Sequence, residues 1–363
     1  MDVIGIIAEY NPFHHGHVYH IDKIKQMYPD SIIILVLNGY FTQRGDMSIL
    51  AKEDKTKIAL EYGINIVIEL PFISATQSAD NFAYASINLL NKLHVNKLIF
   101  GSECNDVKIL FNIAKKELEP NFNTLVKSYL KVGINYPTAL AKGIDTNFSY
   151  KPNDLLGISY IKSILQNNFD ITPITIKRTS NYHDITSNNK IISASNIRNK
   201  FLLKEDISKY LPRNIIDKLI TINKDGYFKL LKYKIITEDN LSKYLDVDEG
   251  IEYRLKKYIN ISNNIDEYIK YIKTKRYTYN KINRMFIHIL IGLEKDNNIK
   301  ENYLRILGFD KIGKEYLNRI KIKPNFKNTN TYALELKTSL IYDLINNTNT
   351  YEYEIKNKPV IKN

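Results

Sequence analysis

The sequence predicts an α/β chain, an open parallel sheet with helices on both faces, followed by a mainly helical, basic half. Three observations carry that expectation. Up to about residue 205, short β-branched runs alternate with amphipathic helical periods. Beyond it, strand-like runs become rare, and Tyr, Ile and Lys recur at helical spacing. The charge is also uneven: residues 251–330 hold 18 Lys and Arg against 8 Asp and Glu, so most of the net +13 lies in less than a quarter of the chain.

Residues 3–7, Val-Ile-Gly-Ile-Ile, show no helical period and read as a strand buried on both faces. Val18, Ile21, Ile24 and Met27 step by three, which predicts a helix over 16–27 with one buried stripe. Residues 32–37 form a second strand, 52–62 a helix, and 64–70, closed by Pro71, a third strand. Residues 77–93 place Phe82, Ala83, Ala85, Ile87 and Leu90 at helical spacing, and 97–100, ended by Gly101, read as a fourth strand. The order βαβαβαβ, with connections long enough for right-handed crossovers, is that of a Rossmann-like open sheet. A helical insertion is expected over about 105–150. Pro152, Asn153 and Asp154 then give helix-start signals. Residues 170–176 read as a fifth strand running into Lys177 and Arg178, and Ser193 is a plausible N-cap. The expected division is 1–205 for the sheet domain and 206–363 for the helical, basic domain. Residues 325–363 are expected to form one helix packed on the body, then a loose tail.

The 44% hydrophobic and 25% charged composition is that of a soluble globular protein, and the pI near 9.3 favours polyanionic partners. A single cysteine, Cys104, excludes an intramolecular disulfide and a thiolate zinc cluster, and suits a reducing cytosol. No apolar run approaches the ~20 residues of a membrane helix, and no signal peptide is expected. The expectation is therefore a cytoplasmic protein with no membrane and no evident protein partner.

In such sheets ligands sit at the carboxyl ends of the strands. That rim holds the turn from Asn11 to His17, the loop 38–48, and Gly101-Ser102-Glu103. Gly16 lets the backbone approach a phosphate, while His14 and His17 offer hydrogen bonds to its oxygens. The helix N-terminus adds partial positive charge. A metal site built on His14, His15, His17 and His20 is the alternative, but no His-Glu-x-x-His spacing accompanies them. Ser193 offers a second helix N-terminus with Arg198 one turn on, and Lys177 and Arg178 stand at a strand end. His14, His17, Lys177 and Ser193 are the expected catalytic residues, with no protein-held metal. In the second half, Lys273, Lys275, Arg276, Tyr277, Tyr279, Lys281 and Arg284 interleave basic and aromatic side chains, a pattern suited to phosphates and unpaired bases of RNA. A solvated basic helix face over core tyrosines is the bland alternative.

The stretch G-I-I-A-E-Y-N-P-F-H-H-G-H-V-Y-H from Gly5 to His20, with I-S-A-S-N-I-R from Ile192 to Arg198, resembles the two motifs of the HIGH-type nucleotidyltransferases. Glu9 to His14, the loop N-G-Y-F-T-Q-R-G over 38–45, Phe100 to Glu103, Ile176 to Arg178, Tyr182-His183-Asp184 and Lys275 to Tyr279 together resemble the tRNA(Met) cytidine acetate ligases. Small departures are Asp46 where that family often has Glu, Asp154 where Asn is common, and Ser195 where Thr is common.

The resemblance implies ATP contacts at Ile7, Ala8, Glu9, Tyr10, Asn11, Pro12, Phe13, His14, His15, Gly16, His17, Val18, Tyr19, His20, Gly101, Asn153 and Arg178. It implies activation of acetate by ATP, with Mg2+ carried on the ATP phosphates, and acetyl transfer to N4 of the wobble cytidine of elongator tRNA(Met). His183 or a water is left to take the amine proton. A small-molecule adenylyltransferase of the NMN or phosphopantetheine type would use the same two motifs, and the large basic second half argues against it. An RNA-binding protein that has lost chemistry is a third reading, opposed by the intact His14, His17 and Ser193.

Overall fold

The computed structural model describes residues 1–134, 136–144, 147–178, 191–297 and 302–363. The first half alternates as expected: β1 (Val3–Ala8), α1 (His15–Met27), β2 (Ile32–Asn38), α2 (Lys52–Glu61), β3 (Ile66–Leu70), a short α3 (Phe72–Ala75), α4 (Ala79–Lys92) and β4 (Lys97–Ser102). The insertion forms α5 (Val107–Glu117), α6 (Phe122–Lys131) and α7 (Tyr136–Gly143), followed by α8 (Pro152–Gln166), β5 (Thr172–Lys177) and α9 (Ala194–Leu202). The second half gives α10 (Lys224–Thr237), α11 (Ile251–Ile259), α12 (Ile265–Ile272), α13 (Tyr279–Ile291), β6 (Ile306–Asp310), α14 (Lys311–Arg319), α15 (Asn330–Asn346), α16 (Tyr351–Lys356) and β7 (Val360–Lys362).

The sheet order is β5-β4-β1-β2-β3-β6-β7. Strands β1 to β5 pair in parallel, β6 runs antiparallel to β3, and β7 is parallel to β6. Alternate residues of β2 split between the two faces. Ile34 and Val36 join a core with α4, α5 and α8, whereas Ile33, Leu35 and Leu37 join one with α1, α2 and α9. Burial on both faces is why β2 is a continuous apolar run. The chain winds outward in both directions from β1, so a crevice opens at the carboxyl ends of β1 and β4. A third core lies among α10 to α13 and α15, and takes in Tyr40, Phe41 and Phe72.

The structure corrects two expectations here. Gly101 does not end the fourth strand but lies within it, paired with Ile176. The tail is not loose: α16 and β7 pack on the body, and β7 closes the sheet edge. The reason is a buried charge cluster. Lys52 of α2 meets Glu69 of β3, Glu335 of α15 at 3.1 Å and Glu354 of α16 at 2.8 Å. Arg305 meets Glu69 and Glu354, Tyr303 donates to Glu69, and the Tyr40 hydroxyl donates to Glu354 at 2.7 Å. Such charges persist in a dry interior only when paired, so the two C-terminal helices are fixed by the carboxylates they deliver.

Candidate active site

A cleft opens where the switch in strand order predicts it, lined by the turn after β1, the loop after β2, and the ends of β4, β5 and α9. The turn is built by its own histidines. His14 is the N-cap of α1: its Nδ1 accepts from the Gly16 N–H at 3.0 Å, while the His14 N–H donates to Nδ1 of His17 at 3.2 Å. This reciprocal cap satisfies two helix-end donors. It also fixes the chemistry. With Nδ1 accepting on both rings, the ring proton of each sits on Nε2, so each offers one N–H donor. Burial, and then the neighbouring Arg178 and His15, push His14 down to about 3. Burial and His14 likewise hold His17 well below its ordinary value. Both rings are therefore neutral donors at physiological pH. A Cβ on Gly16 would lie 2.7 Å from Cε1 of His14, so this cap requires glycine.

Three side chains fasten the rest of the rim to the turn. The Asn11 side chain accepts from the Ile49 N–H at 2.9 Å, which holds the loop after β2. Arg198 of α9 donates to the Asn11 carbonyl at 2.7 Å and lies 3.7 Å from Asp46. The buried Lys55 donates to the carbonyls of Glu9, Asn38 and Gly39, the last at 2.6 Å, and so ties the ends of β1 and β2 together. Ser193 caps α9 by accepting from the Asn196 N–H at 3.3 Å. On the far side, Asp154 takes the Ser102 hydroxyl and the Glu103 and Cys104 N–H groups. Glu103 accepts from Asn153 at 2.6 Å, and Asn153 in turn accepts from Arg178 at 3.4 Å. Arg178 leans over Gly101, and its Nε is buried without a hydrogen-bond partner among the described residues.

The structure thus gathers His14, His17, Lys177 and Ser193 around one cleft, with Ile7, Ala8, Glu9, Tyr10, Asn11, Gly16, Tyr19, His20, Gly101, Asn153 and Arg178. Four residues expected at the ligand do not line it. Phe13 is a core side chain packed against Tyr10 and Tyr62, Val18 packs on the same core, and Pro12 and His15 are not among the lining residues. His183 lies outside the described residues. Sequence reasoning missed Lys55 and the apolar wall of Phe82, Phe100, Leu156 and Tyr160. Leu156 and Tyr160, four apart on one helix, carried a signal, but helical spacing reads alike for a core stripe and a cleft wall.

The basic segment adjoins this cleft. Gly45, at φ +85°, backs onto the Asn283–Arg284 backbone, and Asn283 donates to the cleft-lining Asp46 at 3.2 Å. Lys273 lies over the Tyr279 ring and Lys281 over that of Tyr277, 4.2 Å from its centroid. Arg276 is exposed beside Glu249. Two expectations are corrected. Tyr277 is only 3% exposed and its hydroxyl donates to the Asp248 carbonyl at 2.6 Å, so the ring is a prop for Lys281, not a platform for a base. Arg284 is half-buried on Asp246 at 3.2 Å and serves packing. Among the described residues no helix is long and apolar enough to cross a membrane, and no group of three His, Cys, Asp or Glu is placed to hold a metal.

Comparison with known proteins agrees with this geometry. The HIGH Nucleotidyl Transferase family matches residues 1–361. The tRNA(Met) cytidine acetate ligase of Mycoplasma mobile is 38% identical over 299 residues, which are 80% of this chain and 99% of that protein. The Caldicellulosiruptor bescii protein of the same name is 37% identical over 95% of this chain and 94% of its own length. The crystal structure of Thermotoga maritima TmcAL bound with alpha-thio ATP matches at a TM-score of 0.86 and 26% identity over 99% of both chains. Its apo form matches at 0.89.

Proposed function

The chain belongs to the tRNA(Met) cytidine acetate ligases within the HIGH Nucleotidyl Transferase family, and from that premise we propose that it activates acetate with ATP and passes the acetyl group to N4 of the wobble cytidine of elongator tRNA(Met). The observation that carries this reading is the reciprocal cap of His14 and His17, which leaves two neutral Nε2–H donors at the mouth of two converging helix N-termini. Acetate is already ionised at neutral pH, so its oxygen can attack the α-phosphorus without a general base. Negative charge grows on the phosphates as pyrophosphate leaves. His14, His17, Lys177, Arg178 and the Ser193 hydroxyl are suited to meet it, and they also bring two anionic substrates together. Mg2+ arrives on the ATP phosphates as part of the substrate. In the second step the cytidine amine attacks the acyl carbon and AMP departs. The helical part beyond residue 205 supplies the basic surface for tRNA, with Lys273, Lys275 and Arg276 as its exposed cations and the half-buried Lys281 beside them. The protein acts in the cytoplasm, where charged cofactor and tRNA meet.

ATP–pyrophosphate exchange with and without acetate, followed by acetyl transfer to tRNA, tests the reading. Exchange should require acetate, and label should appear in N4-acetylcytidine. Absence of acetate-dependent exchange would refute it, and exchange driven by a mononucleotide would favour a small-molecule adenylyltransferase.

A further inference from the structure

The transfer step needs a group that takes a proton from the cytidine amine, and we infer that this group is Glu9. The inference rests on the acetyl-transfer reading above. An exocyclic cytosine amine shares its lone pair with the ring, so it is a poor nucleophile until its proton has somewhere to go. Among the described residues the cleft holds few acceptors. His14 and His17 spend Nδ1 on backbone N–H groups and carry their protons on Nε2. His20 is pushed down to about 4 by burial, then by Arg178, and is correspondingly weak as a base. Asp46 accepts from Asn283 and faces Arg198.

Glu9 differs. It stands one residue beyond β1, at the switch point, and lines the cleft. Among the described residues the one hydrogen bond to its carboxylate comes from the Gln43 N–H to Oε1 at 2.6 Å, which leaves Oε2 to accept. Its surroundings are Arg44 and Gln43 from the loop after β2, Lys55 from α2, Arg198 from α9 and the Tyr160 phenol from α8. Burial raises its pKa above the ordinary carboxylate value, against the opposing pull of Gln43, Arg44, Lys55 and Arg198. That direction makes its carboxylate a better proton acceptor, with the surrounding cations opposing the rise.

The step balances. The N4 lone pair forms the N–C bond, and the acyl C–O bond to AMP breaks with its electron pair leaving on the phosphate oxygen. The N4 proton passes to Oε2 of Glu9 and from there to solvent.

The test supplies premade acetyl-adenylate to the full-length protein, with either tRNA(Met) or hydroxylamine as acceptor. Hydroxylamine needs no base, so once the protein-free reaction of acetyl-adenylate with hydroxylamine is subtracted, the ratio of the two transfer rates isolates the proton step from adenylate binding. In Glu9→Gln the ratio of tRNA transfer to hydroxamate formation should fall about 100-fold. The wild-type single-turnover rate should rise with pH through the titration of Glu9, and Glu9→Gln should lose that limb while Glu9→Asp keeps it. A ratio within about threefold of wild type, with the limb retained, overturns the assignment. Should Glu9→Gln not fold, an unchanged ratio in Glu9→Asp with no shift of the limb does the same. Wild-type enzyme that forms no hydroxamate from ATP and acetate would instead refute the ligase reading itself.

Discussion

Gly16 has no room for a side chain because the imidazole of His14 folds back over it to accept its N–H. One residue thus carries two duties, letting the helix cap close and leaving Nε2 of the cleft-lining His14 out of the cap. Replacing Gly16 by Ala should open the cap and swing the donor away. The expected loss is about 100-fold in kcat/KM for ATP–pyrophosphate exchange, as for removal of one transition-state donor, with a stability cost of only about 1 kcal/mol. Exchange kinetics beside a thermal melt will separate the two. At this scale the sequence was readable where residue type is rare and positioned: His-x-Gly-His between a strand and a helix admits few uses. It was unreadable where type is common. Tyr277 among lysines looks like a base-stacking aromatic, yet its ring is buried under Lys281. Phe82 and Tyr160 look like core, and only the sheet shows that they also wall a cleft.

Among the elements, β1 to β3 were legible because burial on both faces favours near-continuous apolar runs, and the partly exposed edge strand β5 was legible from its β-branched residues. Strands β6 and β7 were not: Ile306–Asp310 contains a glycine and an aspartate, and Val360–Lys362 is three residues long, too little for any period to show. What fixes these late elements is charge. Burial raises the Glu335 carboxyl from its ordinary 4.5 to about 7, and Glu69 and Glu354 reinforce the rise against the pull of Lys52. With Glu335 protonated, Lys52 and Arg305 balance Glu69 and Glu354. The sign follows from linkage: a carboxyl with a raised folded pKa lends stability that is full below about pH 4.5 and lost as pH rises through about 7. Wild-type stability from this group should therefore decline between those values, and Glu335→Gln should remove the decline at little cost. Glu354→Gln should instead leave a buried cation underpaired and cost about 3–5 kcal/mol. Denaturant midpoints measured across pH for the two variants decide the matter.

For the molecule as a whole, the cleft and the basic surface share one seam, the loop carrying Arg44 and Asp46, which rests on the start of α13 at Gly45. The proposed RNA surface at Lys273, Lys275 and Arg276 is thus joined to the cleft without a long linker. Replacing Lys275 and Arg276 together by Ala should weaken tRNA binding and lower the slope of log affinity against log salt by about 0.9 for each phosphate that is no longer neutralised. Acetyl transfer should suffer more than exchange, and equal losses in both would place these cations in the adenylate site. The buried cluster around Lys52 also bears on how the protein is born. Glu335 lies 283 residues after Lys52 in the chain. At the usual pace of translation, Lys52 waits on the order of 15–60 s for that carboxylate to leave the ribosome. During that interval Glu69 is the carboxylate of the first half that meets Lys52, and Glu335 and Glu354 complete the cluster only when the late helices arrive.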